Sequence, residues 1–305
     1  MIKVGILEAA SAHGAELVRI LLNHPDIELV WAQSSVAQGP ISTYVRGITG
    51  ETDLVFSRLT LAPVDVIINC SSTPVSQQFV TAIAADPEQV RIIETAANDL
   101  PENYIYGLCE LNRKSLVRGG MLAAPVSPLA MAVELALLPL AKHLLLNAPI
   151  SVAAAVGVGG TRSIYHRGGG SLPEAAEITS ALSMLQSSFC QPIDIVELRT
   201  GGSDGLMAVV TTQCSTAIGE IRPLYKSAYE DHNFTHLSDE PIDTRDVVGT
   251  NKCLLYLEKD DDTLRITSVL DPRIKGGAGN SVHMLNLMLG LHELTGLNLK
   301  SYYPE

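Results

Sequence analysis

The first 120 residues alternate short apolar runs with amphipathic segments. The apolar runs predict strands at 2–7, 28–32, 64–70 and 90–94. Helical periodicity predicts helices over 15–23 and 75–85. Strands separated by helices imply parallel pairing, because a crossover must carry the chain back to the same end of the sheet. The pattern therefore predicts an α/β fold with a doubly wound parallel sheet.

From about residue 126 the pattern changes to helices mixed with alternating strands. Helices are predicted over 130–146, from Pro173 onward and over 219–232. Strands are predicted at 193–198, 206–215, 252–258 and 263–270. This predicts an α+β domain with a largely antiparallel sheet. The apolar segment 281–296 predicts a helix that packs back on the first domain, so the predicted domains are 1–126 with 280–305, and 127–279.

Composition narrows the possible functions. The 305 residues, 46% of them apolar, suggest about two globular domains. Net charge is −12 with no Lys/Arg cluster, so a nucleic-acid partner is not expected. The most apolar stretch, 121–141, contains three prolines and Glu134, which favours a loop and a buried helix over a membrane span.

The cysteine and histidine patterns point to free thiols and no metal. The chain has five cysteines, an odd number, widely spaced and without a CxxC pair. Such cysteines are typical of buried thiols in a reducing cytoplasm. The histidines show no metal-ligand spacing with one another or with any cysteine, so no metal site is predicted.

Five segments follow one another along the chain: YGLCELNR (106–113), LALLPLAK (135–142), DTRDVVGTNKC (243–253), KGGAGNSVHMLNLMLG (275–290) and ELTGL (293–297). Together they resemble the N-acetyl-gamma-glutamyl-phosphate reductase family of the semialdehyde dehydrogenase superfamily. The resemblance spans essentially the whole chain. It implies a Rossmann domain, an inserted α+β catalytic and dimerisation domain, a homo-oligomer, and NADPH (NADP) as cofactor. It also implies a cysteine nucleophile, a proton-transferring histidine and hydride transfer in arginine biosynthesis.

The resemblance places the catalytic groups in altered segments. The nucleophile position, counted from YGLCELNR, falls on Ser127 in AAPVSPLA. A serine hydroxyl needs a strong adjacent base, and an oxygen ester accepts hydride far less readily than a thioester. His166, followed by Arg167, resembles the family's His-Arg-His motif, with glycines in place of the second histidine. His166 is therefore the candidate acid–base group.

The substrate side also departs from the family. Asp99, in TAANDL, falls near the position of an arginine suited to a carboxylate or phosphate, and an aspartate there would repel an anionic acyl phosphate. The remaining candidates for anion contact are Arg46, Arg162 and Arg167.

The glycine-rich fingerprint of the family aligns on residues 8–14, where only Gly14 is a glycine. Gly14 would serve close helix–strand packing, whereas the missing glycines would serve the tight turn and the pyrophosphate. A Glu8 carboxylate about 4 Å from a phosphate would be repelled by roughly 4 kcal/mol per unit charge pair at a dielectric near 20. A helix N-terminus attracts an anion by only about 0.3–1 kcal/mol.

Ser34 takes the place of the family arginine that would meet a 2′-phosphate. The pattern therefore favours NAD or no dinucleotide over NADP. The positions matched to the cofactor site are Glu8, Ser11, Gly14, Ser34, Ser35, Lys275 and Gly276.

Three functional hypotheses stay open. The favoured one is a catalytically impaired homologue that acts as a non-catalytic or regulatory protein. The second is a divergent NAD(P)-dependent acyl-phosphate or semialdehyde oxidoreductase that uses Ser127 or His166. The third is a non-redox protein whose cleft binds an uncharged or cationic small molecule, in keeping with Glu8 and Asp99.

Overall fold

The computed structural model describes residues 1–58, 61–97, 100–157, 172–200 and 204–301, and the backbone of 165–167. These residues form two compact units. The first unit comprises Met1–Val126 and Gly277–Asn298. The inserted unit comprises Ser127–Gly276, with the residues from Leu299 onward.

The helices and strands follow one another in chain order. They are β1 (Ile2–Leu7), α1 (Ala12–Leu21), β2 (Ile27–Gln33), β3 (Phe56–Ser57), β4 (Val66–Asn69), α2 (Gln77–Ile83), β5 (Arg91–Glu94), β6 (Ile105–Tyr106), α3 (Cys109–Val117), β7 (Leu122–Ala124), α4 (Pro128–Lys142), β8 (Ile150–Gly157), β9 (Tyr165–Arg167), α5 (Pro173–Leu185), β10 (Ile193–Thr200), β11 (Leu206–Gln213), α6 (Ile218–Tyr229), β12 (Thr235–Ser238), β13 (Cys253–Asp260), β14 (Thr263–Leu270) and α7 (Gly279–Leu289). Short 3-10 and π turns connect some of them.

The first unit is built on a parallel sheet. Its described strands lie in the order β3-β2-β1-β4-β5-β7-β6, and every adjacent pair is parallel. The predicted doubly wound parallel sheet is confirmed. Gly5 of β1 makes room for the buried Trp31, because a Cβ at Gly5 would lie 2.1 Å from the indole ring. The strand order reverses between β1 and β4, and in such sheets ligands bind at the carboxyl ends of the strands beside that point.

Helix α7 completes the first unit by packing against α1, α3 and β5. Buried polar side chains connect these parts. His24 Nε2 lies 3.0 Å from Asn286 Oδ1, and His283 Nε2 lies 2.8 Å from Glu293 Oε2. Glu293 also forms an ion pair with Arg113. The contacts of His24 and Arg113 fix the last segment of the unit to the turn after α1 and to α3.

The end of α7 differs from the sequence prediction. The helix predicted over 281–296 stops at Leu289, because Gly290 adopts a left-handed conformation with φ +69°. Glycine is the usual residue for this type of helix cap. The segment after Gly290 is therefore a series of turns, although its apolar residues continue the helical spacing.

The inserted unit contains a mixed sheet in the order β12-β13-β14-β11-β8-β10-β9. The pairs β12–β13 and β8–β10 are parallel, and the other four described pairs are antiparallel. This confirms the predicted α+β unit with a largely antiparallel sheet. Helix α4 packs on β11 and β14, with α5 and α6 beside it.

Helix α4 forms most of the apolar stretch 121–141, which is long enough in sequence to suggest a membrane span. It is instead buried in the inserted unit from Leu129 to Ala141. Pro139 has no N–H to donate to Leu135, and the Tyr229 hydroxyl donates to the Leu135 carbonyl at 2.5 Å. No helix in the described ranges is long and apolar enough to cross a bilayer.

Candidate functional site

The turn between β1 and α1 lies at the carboxyl end of β1. Ser11 is the N-cap of α1, and its Oγ accepts a hydrogen bond from the Gly14 N–H at 3.0 Å. A Cβ at Gly14 would lie 2.6 Å from the Ala9 Cα, so only glycine lets α1 approach the turn this closely. This is the packing role that the sequence predicts for Gly14.

Glu8 binds across this turn to the end of β2. Its carboxylate accepts hydrogen bonds from the Ser35 N–H at 3.2 and 3.3 Å and from the Ser35 Oγ at 3.0 Å. The Glu8 N–H donates to Gln33 Oε1 at 3.1 Å. Ser34 is fully buried, and its Oγ accepts from the N–H groups of Val36 and Ala37. Ser34 thus shapes the turn after β2.

The residues of this turn do not fit the dinucleotide that the resemblance implies. The backbone of Glu8 lies in the turn, while its carboxylate accepts hydrogen bonds from Ser35 after β2. The Ser11 Oγ already accepts from the Gly14 N–H at the helix start, where a diphosphate would need donors. Burial lowers the pKa of His13 to about 4, so its ring is neutral at pH 7 and adds no positive charge. The turn and its surroundings therefore present hydrogen-bond acceptors and a negative charge, which do not suit a bound phosphate.

The inserted unit contains a cavity of about 560 Å³ beside the start of α4. Such a volume is typical of small-molecule sites. Ser127 lies in its wall as the N-cap of α4, where its Oγ accepts from the Ala130 N–H at 3.1 Å. The Ser127 N–H donates to Glu177 Oε1 of α5 at 3.0 Å. The Glu177 carboxylate therefore already accepts the backbone N–H of Ser127, the residue at the nucleophile position.

Paired charges line the same cavity. Glu197 is buried, and its Oε1 lies 2.5 Å from Arg199 Nε. Arg273 Nη2 lies 3.4 Å from Asp204 Oδ1. Each arginine thus faces a carboxylate of the chain itself, which reduces its attraction for an anionic acyl phosphate.

None of the five cysteines lines this cavity. Cys70, Cys109, Cys214 and Cys253 are buried, and Cys190 is exposed. Burial raises the pKa of Cys70 to about 12, so its thiol stays protonated at pH 7. In the described part of the chain, no cysteine therefore takes over the nucleophile position at the cavity that Ser127 lines.

The remaining predicted site residues are only partly described. Lys275 is fully buried, with Nζ 5.8 Å from the centre of the Phe234 ring. Gly276 lies against the start of α4, since a Cβ there would be 2.7 Å from Pro128 Cβ. Two further predicted positions, Arg162 and Asp99, lie outside the described residues.

The candidate histidine lies in β9, an edge strand of the inserted sheet. The backbone of His166 pairs with Leu198, and that of Arg167 pairs with Glu197. The side chains of both residues lie outside the described part of the chain. Their proposed proton-transfer and anion-binding roles therefore stay predictions.

Two site residues were missed by the sequence reasoning. Glu177 contacts Ser127 from 50 residues away. Asp271 is fully buried beneath the cavity wall and accepts hydrogen bonds from the N–H groups of Gly249, Arg273 and Ile274. Burial raises the pKa of Asp271 despite these donors. Within the described ranges, no cluster of three or more His, Cys, Asp or Glu side chains could hold a metal ion.

Comparison with known proteins identifies both units. Residues 3–118 match the family described as semialdehyde dehydrogenase, NAD binding domain. Residues 173–272 match the family described as semialdehyde dehydrogenase, dimerisation domain. The two matches correspond to the parallel sheet and to the mixed sheet, respectively.

Whole-chain relatives are similar over nearly their full length. N-acetyl-gamma-glutamyl-phosphate reductase of Parabacteroides distasonis is 38% identical, over 98% of this chain and 99% of the relative. The protein of the same name from Phocaeicola vulgatus is 37% identical, over 98% and 99%. In fold, the chain is similar to aspartate semialdehyde dehydrogenase II from Vibrio cholerae, with a TM-score of 0.72, 12% identity, and coverage of 95% of this chain and 98% of that structure.

Proposed function

We propose that the chain, which belongs to the N-acetyl-gamma-glutamyl-phosphate reductase family, is a family member without reductase activity. It would act as a binding or regulatory protein. The family reaction, by resemblance, needs a thiolate that forms a thioester and a dinucleotide that carries hydride. Ser127 at the nucleophile position does not favour thioester formation, and the residues of the turn after β1 do not favour dinucleotide binding. A regulatory role would connect the protein to an active reductase of arginine biosynthesis.

The contact between Ser127 and Glu177 carries this proposal. In acyl transfer, backbone N–H groups at the nucleophile stabilise the oxyanion that develops on the substrate. Here the Ser127 N–H is bound to the Glu177 carboxylate at 3.0 Å, and the Ser127 Oγ serves as a helix cap. A developing oxyanion at this amide would have to compete with the Glu177 carboxylate for the N–H. This arrangement opposes covalent catalysis independently of the change from cysteine to serine.

We expect no turnover from the purified full-length protein. The assay follows NADP reduction with N-acetylglutamate semialdehyde and phosphate, with the Parabacteroides distasonis reductase as positive control. The wild type and Ser127→Ala should both stay at the background rate, because the wild-type serine is already non-catalytic. Ser127→Cys alone should also stay near background, since Glu177 still occupies the amide.

Two outcomes of this assay would contradict the proposal. Phosphate-dependent turnover that Ser127→Ala abolishes would establish the divergent oxidoreductase with Ser127 as nucleophile. Turnover that Ser127→Ala leaves unchanged would establish an enzyme that uses another group, of which His166 is the first to replace.

The dimerisation-domain match supports a homo-oligomer, and one face of the inserted sheet suits such contact. Along β10, buried Ile195 and Glu197 alternate with Val196 and Leu198, which are 39% and 45% exposed. Helices pack on the side of the buried residues. The exposed face is partly apolar and is the proposed subunit interface.

Leu198→Glu is expected to convert the oligomer into a monomer in sedimentation velocity, because it would bury a carboxylate at an apolar contact. The matched control is Met184→Glu on α5, where another apolar side chain is 54% exposed. This control should leave the oligomer intact. If the Leu198→Glu variant sediments with the mass of the wild-type oligomer, the interface lies elsewhere.

A further inference from the structure

The cavity beside the start of α4 has charges of both signs in its wall. The described wall residues with a charge are Glu174, Glu197, Arg199, Asp204 and Arg273. Three carboxylates and two guanidinium groups therefore face one enclosed space. Complementary charge on a ligand determines which ligand such a wall selects, so the arrangement of these groups indicates the class of ligand.

Arg273 and Asp204 form an ion pair that both side chains leave partly accessible. Arg273 Nη2 lies 3.4 Å from Asp204 Oδ1, and the two side chains are 53% and 30% exposed. A guanidinium has several N–H donors and a carboxylate has several acceptor sites, so each group can bind a ligand while it keeps this contact. An α-amino acid has its ammonium and carboxylate groups on one carbon. Its head group can therefore supply a partner of opposite charge to Asp204 and to Arg273 at once.

The buried Asp271 holds Arg273 in place behind this pair. Asp271 Oδ1 accepts a hydrogen bond from the Arg273 N–H at 2.8 Å and lies 4.0 Å from Arg273 Nε. The N–H groups of Gly249 and Ile274 donate to the same carboxylate and fix its position. An arginine that is held in this way loses little conformational freedom when a carboxylate binds to it.

The rest of the wall suits a side chain with an apolar stem and a cationic end. Arg199 is already paired in the wall with the buried Glu197, whose Oε1 lies 2.5 Å from its Nε. Glu174, in the first turn of α5, is a further wall carboxylate. Apolar wall surface comes from Leu129, Val156, Leu206 and Pro272. Long cationic side chains lie with their methylene groups on such a surface and their charged end at a polar group.

We propose that this cavity binds a basic α-amino acid whose amino groups are not acylated. Its α-carboxylate contacts Arg273, its α-ammonium group contacts Asp204, and the cationic end of its side chain contacts Glu174. The substrate in the name of the relatives, N-acetyl-gamma-glutamyl phosphate, has an uncharged amide in place of the α-ammonium group and adds an anionic phosphate. The inference rests on the proposed function, because an active reductase would need this cavity for its substrate.

Calorimetry with the full-length protein tests this inference, with L-lysine as the probe. L-lysine should bind. Nα-acetyl-L-lysine, which has an amide in place of the α-ammonium group, should bind at least about tenfold more weakly, because charge-assisted hydrogen bonds are the stronger ones. Nε-acetyl-L-lysine, which lacks the charge at the end of the side chain, should also bind more weakly than L-lysine.

Three variants assign these differences to residues of the wall. Asp204→Asn should weaken L-lysine binding about tenfold and reduce the difference between L-lysine and Nα-acetyl-L-lysine, because the α-ammonium group loses its charged partner. Glu174→Gln should reduce the difference between L-lysine and Nε-acetyl-L-lysine. Asp262→Asn removes the same charge from the turn between β13 and β14, where the side chain is 70% exposed, and should leave L-lysine binding unchanged.

The remaining outcomes separate this inference from the proposed function. Absence of L-lysine binding at millimolar concentration, with background turnover in the reductase assay, overturns the inference and leaves the proposed function intact. Equal affinities of the wild type for L-lysine and Nα-acetyl-L-lysine, or an unchanged affinity in Asp204→Asn, overturn the contacts of the head group. Equal affinities for L-lysine and Nε-acetyl-L-lysine overturn the role of Glu174. Tighter binding of N-acetylglutamate semialdehyde than of L-lysine, with phosphate-dependent turnover, overturns both the inference and the proposed function.

Discussion

Replacing Asp271 with alanine is expected to lower the free energy of unfolding by about 3–5 kcal/mol. The fully buried carboxylate accepts hydrogen bonds from Gly249 and Arg273 at 2.8 Å and from Ile274 at 3.3 Å. Alanine leaves these three N–H groups without their acceptor, and a buried unsatisfied donor costs about 1–3 kcal/mol. Urea denaturation followed by far-ultraviolet circular dichroism measures the loss.

Two companion variants test the cause of this loss. Asp271→Asn keeps one oxygen acceptor but directs an NH₂ group toward another N–H, so its loss should be smaller than that of the alanine variant. Asp262→Ala removes an aspartate side chain that is 70% exposed and should change stability by less than about 0.5 kcal/mol. Equal effects of Asp271→Ala and Asp262→Ala would show that the buried hydrogen bonds contribute little.

Gly14→Ala is expected to destabilise the first unit by about 2–4 kcal/mol. The added Cβ would lie 2.6 Å from the Ala9 Cα and 2.8 Å from the Ala9 carbonyl oxygen. These are backbone atoms, so the clash can be relieved only by moving α1 or the turn. The single tryptophan, Trp31, is buried in this unit, so its fluorescence during urea denaturation reports the change.

Gly47→Ala is the matched control for this substitution. No atom lies within 4 Å of a Cβ built at Gly47, and its φ is not in the left-handed region. Alanine should therefore be neutral or slightly stabilising there, because it restricts the unfolded chain. Equal stability of the two variants would contradict close packing at Gly14.

The sequence predicts most of the fold because periodicity records which faces are buried. Strand β1 and strand β14 have the predicted bounds, 2–7 and 263–270. The predicted end of α7 is wrong because the apolar periodicity continues past Gly290. At Gly290 a local backbone conformation with φ +69° stops the helix. Apolar spacing describes burial and cannot register a single left-handed residue.

The site was less predictable, since its contacts join distant segments. Sequence identified Glu8 as a charge opposed to phosphate, but its hydrogen bonds to Ser35 depend on the parallel pairing of β1 and β2. Nothing in the spacing of Glu177 indicates that it binds the Ser127 amide, because that contact follows from the packing of α5 beside α4. Resemblance to a family located the altered positions, whereas only tertiary structure supplied their new partners.

The return of α7 to the first unit has a consequence for folding during synthesis. Roughly 150 residues of the inserted unit separate the two segments that form the first unit. At about 5–20 residues per second, the ribosome needs roughly 8–30 s to make that insert. During this interval the surfaces of α1, α3 and β5 that α7 covers stay open to water and to other nascent chains. The buried bonds of Asn286 and Glu293 therefore form only after the inserted unit has been synthesised, so the first unit is completed later than the unit inserted into it.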